Sequence, residues 1–335
     1  MDQSTPAPLS LKSVECLVRE QYGDRASTPV QLSAGAWSRA YGMTLSGVDV
    51  VLRIGVHGDD FAKDRTASNL ALPGVPVPNI IETGSISDRQ YALSERAWGI
   101  ALDDLPPTEL EATLPSLMHT LDRISEIDIS HTDGFGIWTP EERGPHKTWA
   151  EALLSIAVET PRVPGWRAEL ENSKIGMAPF DAGMAKLSGL VPKLPEVRHL
   201  IHGDLLSRNV LIDRNAVSAV LDWGNSLFGD YIYDAAWLVY WWPWYPQWHG
   251  IDILSQFMKH WRSTGRAPDC IEDRLHAYLI HIGLDAIAYC TFKRRWSEVS
   301  QNAQMVLQLC DIPQLDISKS RQILTMWSRI THVSQ

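Results

Sequence analysis

The stretch that most restricts what this chain can become is IHGDLLSRNVLID at 201–213, followed by AVLDWG at 219–224. Three short apolar runs, HLIH (199–202), NVLI (209–212) and VSAVLD (217–222), alternate here with turn-forming residues. That pattern predicts a small hairpin-like element with polar side chains at the strand ends. His202, Asp204 and Asn209 fall in the order HxDxxxxN, and Asp222 follows Asp204 by eighteen residues at the end of the third run. Two carboxylates and an amide are thus gathered at one end of a rigid element. At 335 residues the chain exceeds one comfortable hydrophobic core, so a second lobe facing this element across a cleft is expected.

Residues 11–22 set Leu11, Val14, Leu17 and Val18 at helical spacing behind Ser10, which predicts an opening helix capped by that serine. From 30 to about 95 the chain reads as short runs divided by Gly or Pro, among them AYGMTL (40–45), VDVVLRI (48–54) and YALSE (91–95). One helix is expected within them, over FAKDRTASNLAL (61–72), closed by Pro73 and Gly74. After Gly99 helical periodicity dominates, near 108–127, 148–158 and 180–189. A Gly- and Pro-containing segment from 133 to 145 interrupts it with the loop chemistry of a lid. The expected fold is α+β and two-lobed, with a small antiparallel β-rich N-lobe over 1–97 and a larger, mostly α-helical C-lobe over 98–335. A short hinge near 97–100 joins them.

Composition narrows the classes. Hydrophobic residues at 44% and charged residues at 21% exclude a disordered chain. A net charge of −10 disfavours nucleic acid and anionic membrane surfaces and favours a cationic ligand. The start MDQSTPAPLS has no basic and apolar leader, and no run approaches 18 uninterrupted apolar residues, so cytoplasmic residence without a membrane span is expected. Cys16, Cys270, Cys290 and Cys310 lie far apart with no CxxC pair, which predicts free thiols and neither structural zinc nor a disulfide framework.

The HxDxxxxN…DWG offsets resemble those of a kinase catalytic loop and its metal-binding DFG. Phosphoryl transfer needs a carboxylate to orient the acceptor hydroxyl, the role expected of Asp204. It also needs hard oxygen ligands that hold magnesium against the phosphates, the role expected of Asn209 and Asp222. Positioning and charge neutralisation are the main catalytic contributions in a loose transition state, so a rigid loop suits the chemistry. His202 reads as a brace for that loop. Leu206 stands where a protein kinase carries a lysine, which points away from a protein acceptor.

Further blocks follow in order: LSAGAWSRAY (32–41), VVLRI (50–54), FAKDR (61–65), TDGFG (132–136), PEVRHLIHGDLLSRNVL (195–211), LDWGNSLFGD (221–230), WWPW (241–244) and IGLDA (282–286). Through these blocks the chain resembles the aminoglycoside phosphotransferases, and among them the branch acting on hygromycin B. The resemblance implies a protein-kinase-like fold with ATP, or GTP, between the lobes and its base on the backbone near Ser94 and Ala97. It implies a phosphate-covering loop at 33–38 bearing Ser33, Gly35 and Ser38. Arg53, standing where kinases usually place lysine, would contact the α- and β-phosphates, with Asp64 as its acidic partner on the N-lobe helix.

The implied acceptor is a small cationic antibiotic, an aminocyclitol phosphorylated on a hydroxyl to confer resistance, and the protein is expected to act as a monomer. Such a ligand needs carboxylates for its ammonium groups and flat apolar faces for its rings. Asp285 in IGLDA offers the first; Trp241 and Trp244 offer the second, or else serve helix packing, as many of fourteen tryptophans must. Asp230 and Asp234 read as structural, one capping the helix near Tyr231 and the other bracing the catalytic loop. A macrolide kinase and a kinase for choline, a sugar or an amino-sugar share every catalytic residue. An inactive binding protein of kinase fold is opposed by the intact Asp204, Asn209 and Asp222.

Overall fold

The computed structural model describes residues 9–35, 37–70 and 73–331. Helix α1 (Leu11–Tyr22) opens as expected, the Ser10 hydroxyl accepting the Ser13 N–H at 3.1 Å. Five antiparallel strands follow, β1 (Val30–Ala34), β2 (Ser38–Leu45), β3 (Val48–Gly55), β4 (Ile80–Ile86) and β5 (Arg89–Glu95), in the order β1-β2-β3-β5-β4. The period-2 alternation of a strand sorts β3 into two faces. Val50, Leu52 and Ile54 bury against Tyr41, Met43, Tyr91 and Leu93 and against Val14 and Val18 of α1. Val51 and Arg53 point to the opposite face, into a cleft. Helix α2 (Gly58–Leu70) connects β3 to β4 and begins three residues before the predicted start. Positions 71 and 72 of the predicted helix, and position 36 of the predicted phosphate loop, lie outside the described residues.

The rest of the chain is mainly helical: α3 (Pro107–Ser125), α4 (Trp149–Leu154), α5 (Trp166–Glu171), α6 (Ala178–Leu190), α7 (Ile232–Trp241), α8 (Ile253–Thr264), α9 (Ile271–Phe292), α10 (Trp296–Asp311) and α11 (Ser320–Thr331). The short strands are β6 (Ile100–Ala101), β7 (Gly136–Ile137), β8 (His199–Ile201), β9 (Val210–Asp213), β10 (Ala216–Val220) and β11 (Leu227–Gly229). At the centre lies α9, apolar and long enough by length and composition to cross a membrane, but covered by α5, α6, α7 and α10. Its covered faces identify it as a core helix.

The structure corrects two expectations and settles how a third segment packs. Of the three runs from 199 to 222, only those forming β9 and β10 make a hairpin, through Arg214 and Asn215 with φ of 49° and 64°, the twist a two-residue turn requires. Strand β8 joins a separate sheet of order β7-β11-β8, so the catalytic loop bridges two small sheets rather than closing one. The segment 133–145, with the loop chemistry of a lid, is tied into the C-lobe at several points. Strand β7 pairs with β11, Phe135 bridges His146, and the buried Trp138 stacks on Phe228 at 5.5 Å. The periodic stretch 148–158 also ends early, α4 giving way to a 3-10 turn over Ser155–Ala157.

Candidate active site

The loop between β8 and β9 is held from beneath. Asp234 of α7 accepts the backbone N–H groups of His202 and Gly203 at 3.0 and 2.8 Å, one on each carboxylate oxygen. Gly203 has φ 74°, and a Cβ there would lie 2.9 Å from Leu227, so only glycine fits. His202 is fully buried; its Nε2 donates to the Leu221 carbonyl at 2.9 Å, which leaves Nδ1 to accept the Asp204 N–H at 3.2 Å. Burial pushes the imidazole down to about 4, so it stays neutral in that tautomer. Asn209 donates through Nδ2 to the Asp204 carbonyl at 2.9 Å, and its own carbonyl accepts the Leu221 N–H at 2.7 Å. Asp204 therefore projects from a braced turn, its carboxylate accepting from Asn225 Nδ2 at 3.2 Å. Burial first, and then the nearby Asp222, raise it to about 8.

Asp222 leaves β10 in the left-handed region, φ 59° and ψ 71°, with its side chain 45% exposed. Arg53 reaches it from β3, one guanidinium nitrogen lying 2.7 Å from Asp64 and 3.7 Å from Asp222. Asp64 also accepts the Trp223 N–H at 2.8 Å. Burial lifts Asp64 to about 6 while Arg53 pulls it back down. One turn of α2 carries two further contacts that sequence reasoning missed. Lys63, buried over the Trp138 ring, donates to the carbonyls of Gly224 and Ser226, each at 2.8 Å, and burial lowers it to about 7. Asp60 takes a two-pronged pair from Arg162 at 2.9 and 2.8 Å and presses so close that a Cβ on Gly224 would meet its carboxyl at 2.8 Å. The only local signal was spacing in DFAKD (60–64): Asp60, Lys63 and Asp64 share one side of a helix at i, i+3, i+4, the side that the structure buries.

A cavity of about 640 Å³ lies between the sheet and the hairpin. Ser33, Gly35 and Ser38 roof it, Arg53 and Asp64 close its back, Ser94 and Ala97 form the connecting edge, and Asn209 and Asp222 its floor. Val51, Val77, Ala92, Leu211 and Val220 supply apolar walls suited to a flat ring. The Gly35 amide is engaged with the Ser38 carbonyl at 2.9 Å, so it is not an open phosphate donor, and a Cβ on Gly35 would meet only an ordinary contact at 3.4 Å. The connecting strand is fixed where Ser218 Oγ donates to the Trp98 carbonyl at 2.7 Å.

Asp204 and the predicted acceptor residues stand outside the lining of that cavity. Asp285 of α9 is partly exposed, raised by burial to about 6, and close enough to Asp204 to raise it too. Trp241 and Trp244 lie half-buried on the main core, their rings 4.9 Å apart and each packed on Tyr240. Asp230 and Asp234 carry structural contacts: Asp230 caps Ile232 and pairs with the buried Arg274 at 2.7 Å, and Asp234 holds the catalytic loop. Asp103, which the sequence reading passed over, accepts the backbone N–H of Arg208 and so fixes the left-handed pair Ser207 and Arg208 beside Asp204.

Two lobes of protein-kinase-like fold, a cavity between them, and a carboxylate loop at its edge define a kinase that acts on a hydroxyl group. The chain belongs to the phosphotransferase enzyme family, whose profile matches residues 46–286. It is 34% identical over 282 residues to the hygromycin-B 4-O-kinase of Escherichia coli, an alignment spanning 83% of this chain and 79% of that protein. Among solved structures it is similar to a thermostable mutant of aminoglycoside phosphotransferase APH(4)-Ia in ternary complex with AMP-PNP and hygromycin B. That likeness has a TM-score of 0.79 at 31% identity and covers 89% of this chain and 98% of that one. Spectinomycin phosphotransferase APH(9)-Ia, in complex with ADP and spectinomycin, shares the fold at 13% identity, with a TM-score of 0.54 over 98% of this chain and 99% of that one.

Proposed function

We propose that this chain transfers the γ-phosphoryl group of ATP to a hydroxyl of hygromycin B or a closely similar aminocyclitol. The observation that carries the proposal is the Asp204 carboxylate, braced through its backbone by His202 and Asn209 and set beside the half-exposed Asp222. In this reading the N-lobe, 1–97, covers the nucleotide and the C-lobe, 98–335, holds the acceptor, and the protein works as a cytoplasmic monomer. Asp204 accepts a hydrogen bond from the acceptor hydroxyl and aims its oxygen at the phosphorus. Burial raises the Asp204 carboxyl to about 8, so it accepts that proton in its ionised form, populated as pH climbs through that value.

The donor set fits magnesium. Asn209 has committed its Nδ2 to the Asp204 carbonyl, which leaves Oδ1 for a cation, and Asp222 adds a solvent-reaching carboxylate. Two protein oxygens with the remainder from phosphate is the usual environment of this ion. Asn209 and Asp222 would hold the ion, which would supply neutralisation of phosphate charge. Arg53, held by Asp64, offers a fixed cation to the same phosphates. The relative acting on hygromycin B is similar over most of both chains, and Asp285 beside Asp204 supplies a carboxylate for an ammonium group.

Purified protein, labelled ATP and magnesium are incubated with hygromycin B, several aminoglycosides, a macrolide and choline. Label is expected on hygromycin B, and product NMR locates the hydroxyl. Label on the macrolide or choline alone would sink the acceptor assignment while leaving the kinase. Asp204→Ala should lose more than about tenfold in turnover, roughly 1.4 kcal/mol, and keep its affinity for nucleotide.

A further inference from the structure

The lobes also meet outside the cavity, around one indole. Trp37 sits in the turn between β1 and β2, within the loop that roofs the phosphate end of the cavity. Its ring lies nearly parallel to Phe292 at the end of α9, with centroids 6.2 Å apart and planes 18° apart. Lys293 places its Nζ 4.1 Å from the indole centroid, and the Arg162 guanidinium lies 5.3 Å from it. The edge of the same ring system is met by His57 at 5.1 Å. Lys293 has no ion pair among the described residues, and burial, then Arg295, lowers its pKa, so aromatic faces are its main partners. Arg162 is fixed in turn by its two-pronged pair with Asp60 of α2.

Strand β1 is exposed along its whole length, and the Gly35 amide bonds only within its own turn. Trp37 thus ties this roof to the C-lobe. Because α9 also bears Asp285 two turns before Phe292, the tie runs to the helix that faces the acceptor.

We infer that Trp37 is a positioning residue for the phosphoryl transfer: gripped by Lys293, Arg162 and Phe292, it holds Ser38 and the start of β2 down over the phosphates before nucleotide arrives. A roof already in place spares the nucleotide the ordering cost of bringing it there. The inference rests on the nucleotide reading of the cavity and not on the identity of the acceptor.

Calorimetric titration with AMP-PNP and magnesium tests it. Trp37→Leu keeps an apolar side chain but removes the π face, and should weaken binding about tenfold, the scale of partly desolvated cation–π contacts. Trp37→Phe, which restores a ring, should stay within about threefold of wild type. Lys293→Met should weaken binding by a smaller factor and add little in the Trp37→Leu background, since both changes remove the same contact. Unchanged affinity in Trp37→Leu, or full additivity of the two changes, would overturn the inference. Should Trp37→Leu fail to fold, Lys293→Met against Lys293→Arg decides it: equal affinities for those two variants would refute a role for the cation. Wild-type protein that binds no AMP-PNP would instead overturn the nucleotide reading itself.

Discussion

Arg53→Ala removes the cation standing between Asp64 and Asp222. The Asp64 side chain is 5% exposed, so water does not replace the lost partner, and deleting one member of a buried pair costs about 3–5 kcal/mol. The carboxyl itself limits that cost. Burial already lifts Asp64 to about 6, and without the guanidinium it rises further and takes up a proton, so the unpaired charge disappears. The sign of the pH dependence follows from linkage. A carboxyl whose folded value is raised above its unfolded 3.8 contributes stability that is fully present at low pH and lost as pH climbs through the folded value. In wild type that loss is complete a little above 6. In Arg53→Ala it continues upward, at about 1.4 kcal/mol for each pH unit until the new value is reached. The gap between the two proteins should therefore widen above pH 6, by roughly 3 °C in melting temperature per unit if each kcal/mol is worth roughly 2 °C. Thermal unfolding of the nucleotide-free proteins at several pH values between about 6 and about 8 reads it directly. A constant gap across that window would refute the argument, because Asp64 would then have found another counter-charge.

Asp222→Ala and Asn209→Ala should each raise the magnesium concentration giving half-maximal activity, Asp222→Ala more so, because a carboxylate offers charge where an amide offers only a dipole. Equal, small shifts in a magnesium titration would count against both assignments. Asp285→Asn should raise KM for hygromycin B by about one to two powers of ten without altering nucleotide KM, the loss expected when a charge-assisted hydrogen bond of roughly 1.5–3 kcal/mol is removed. The gap should narrow with added salt, and matched KM values at low salt would assign Asp285 to packing. Nucleotide-free Asp204→Asn should melt higher than wild type near pH 8, since a folded value of about 8 against an unfolded 3.8 means wild type sheds stability across that range; identical melting would show that Asp204 is better solvated than its burial indicates.

Features that depend on spacing were readable directly from the chain. The strand alternation of VDVVLRI set Arg53 on the face opposite Val50 and Leu52, and the interval between Asp204 and Asp222 matched a kinase catalytic loop and its metal-binding aspartate. The helix α5 escaped because six residues give less than two turns of periodicity, and β1 because a wholly exposed edge strand carries no burial pattern. Charged contacts across the lobes were harder still. Nothing local in FAKDR says that Lys63 buries its ammonium against carbonyls more than 150 positions away, at Gly224 and Ser226. Segment 133–145 was undecidable for a related reason: its Gly and Pro content is that of a loop, while its packing comes from β11 and from Trp138, whose partner Phe228 lies far along the chain.

Helix α2 belongs to the N-lobe by sequence and divides its contacts between the two lobes. Cutting the backbone between β5 and β6 would separate Lys63, Asp60 and Asp64 from the Gly224 and Ser226 carbonyls, Arg162 and the Trp223 amide that satisfy them. Each fragment would then carry polar groups that only the other can answer, so neither is self-sufficient, and their reunion restores several directional contacts at once. Activity after such a break therefore depends on the two pieces being brought back together.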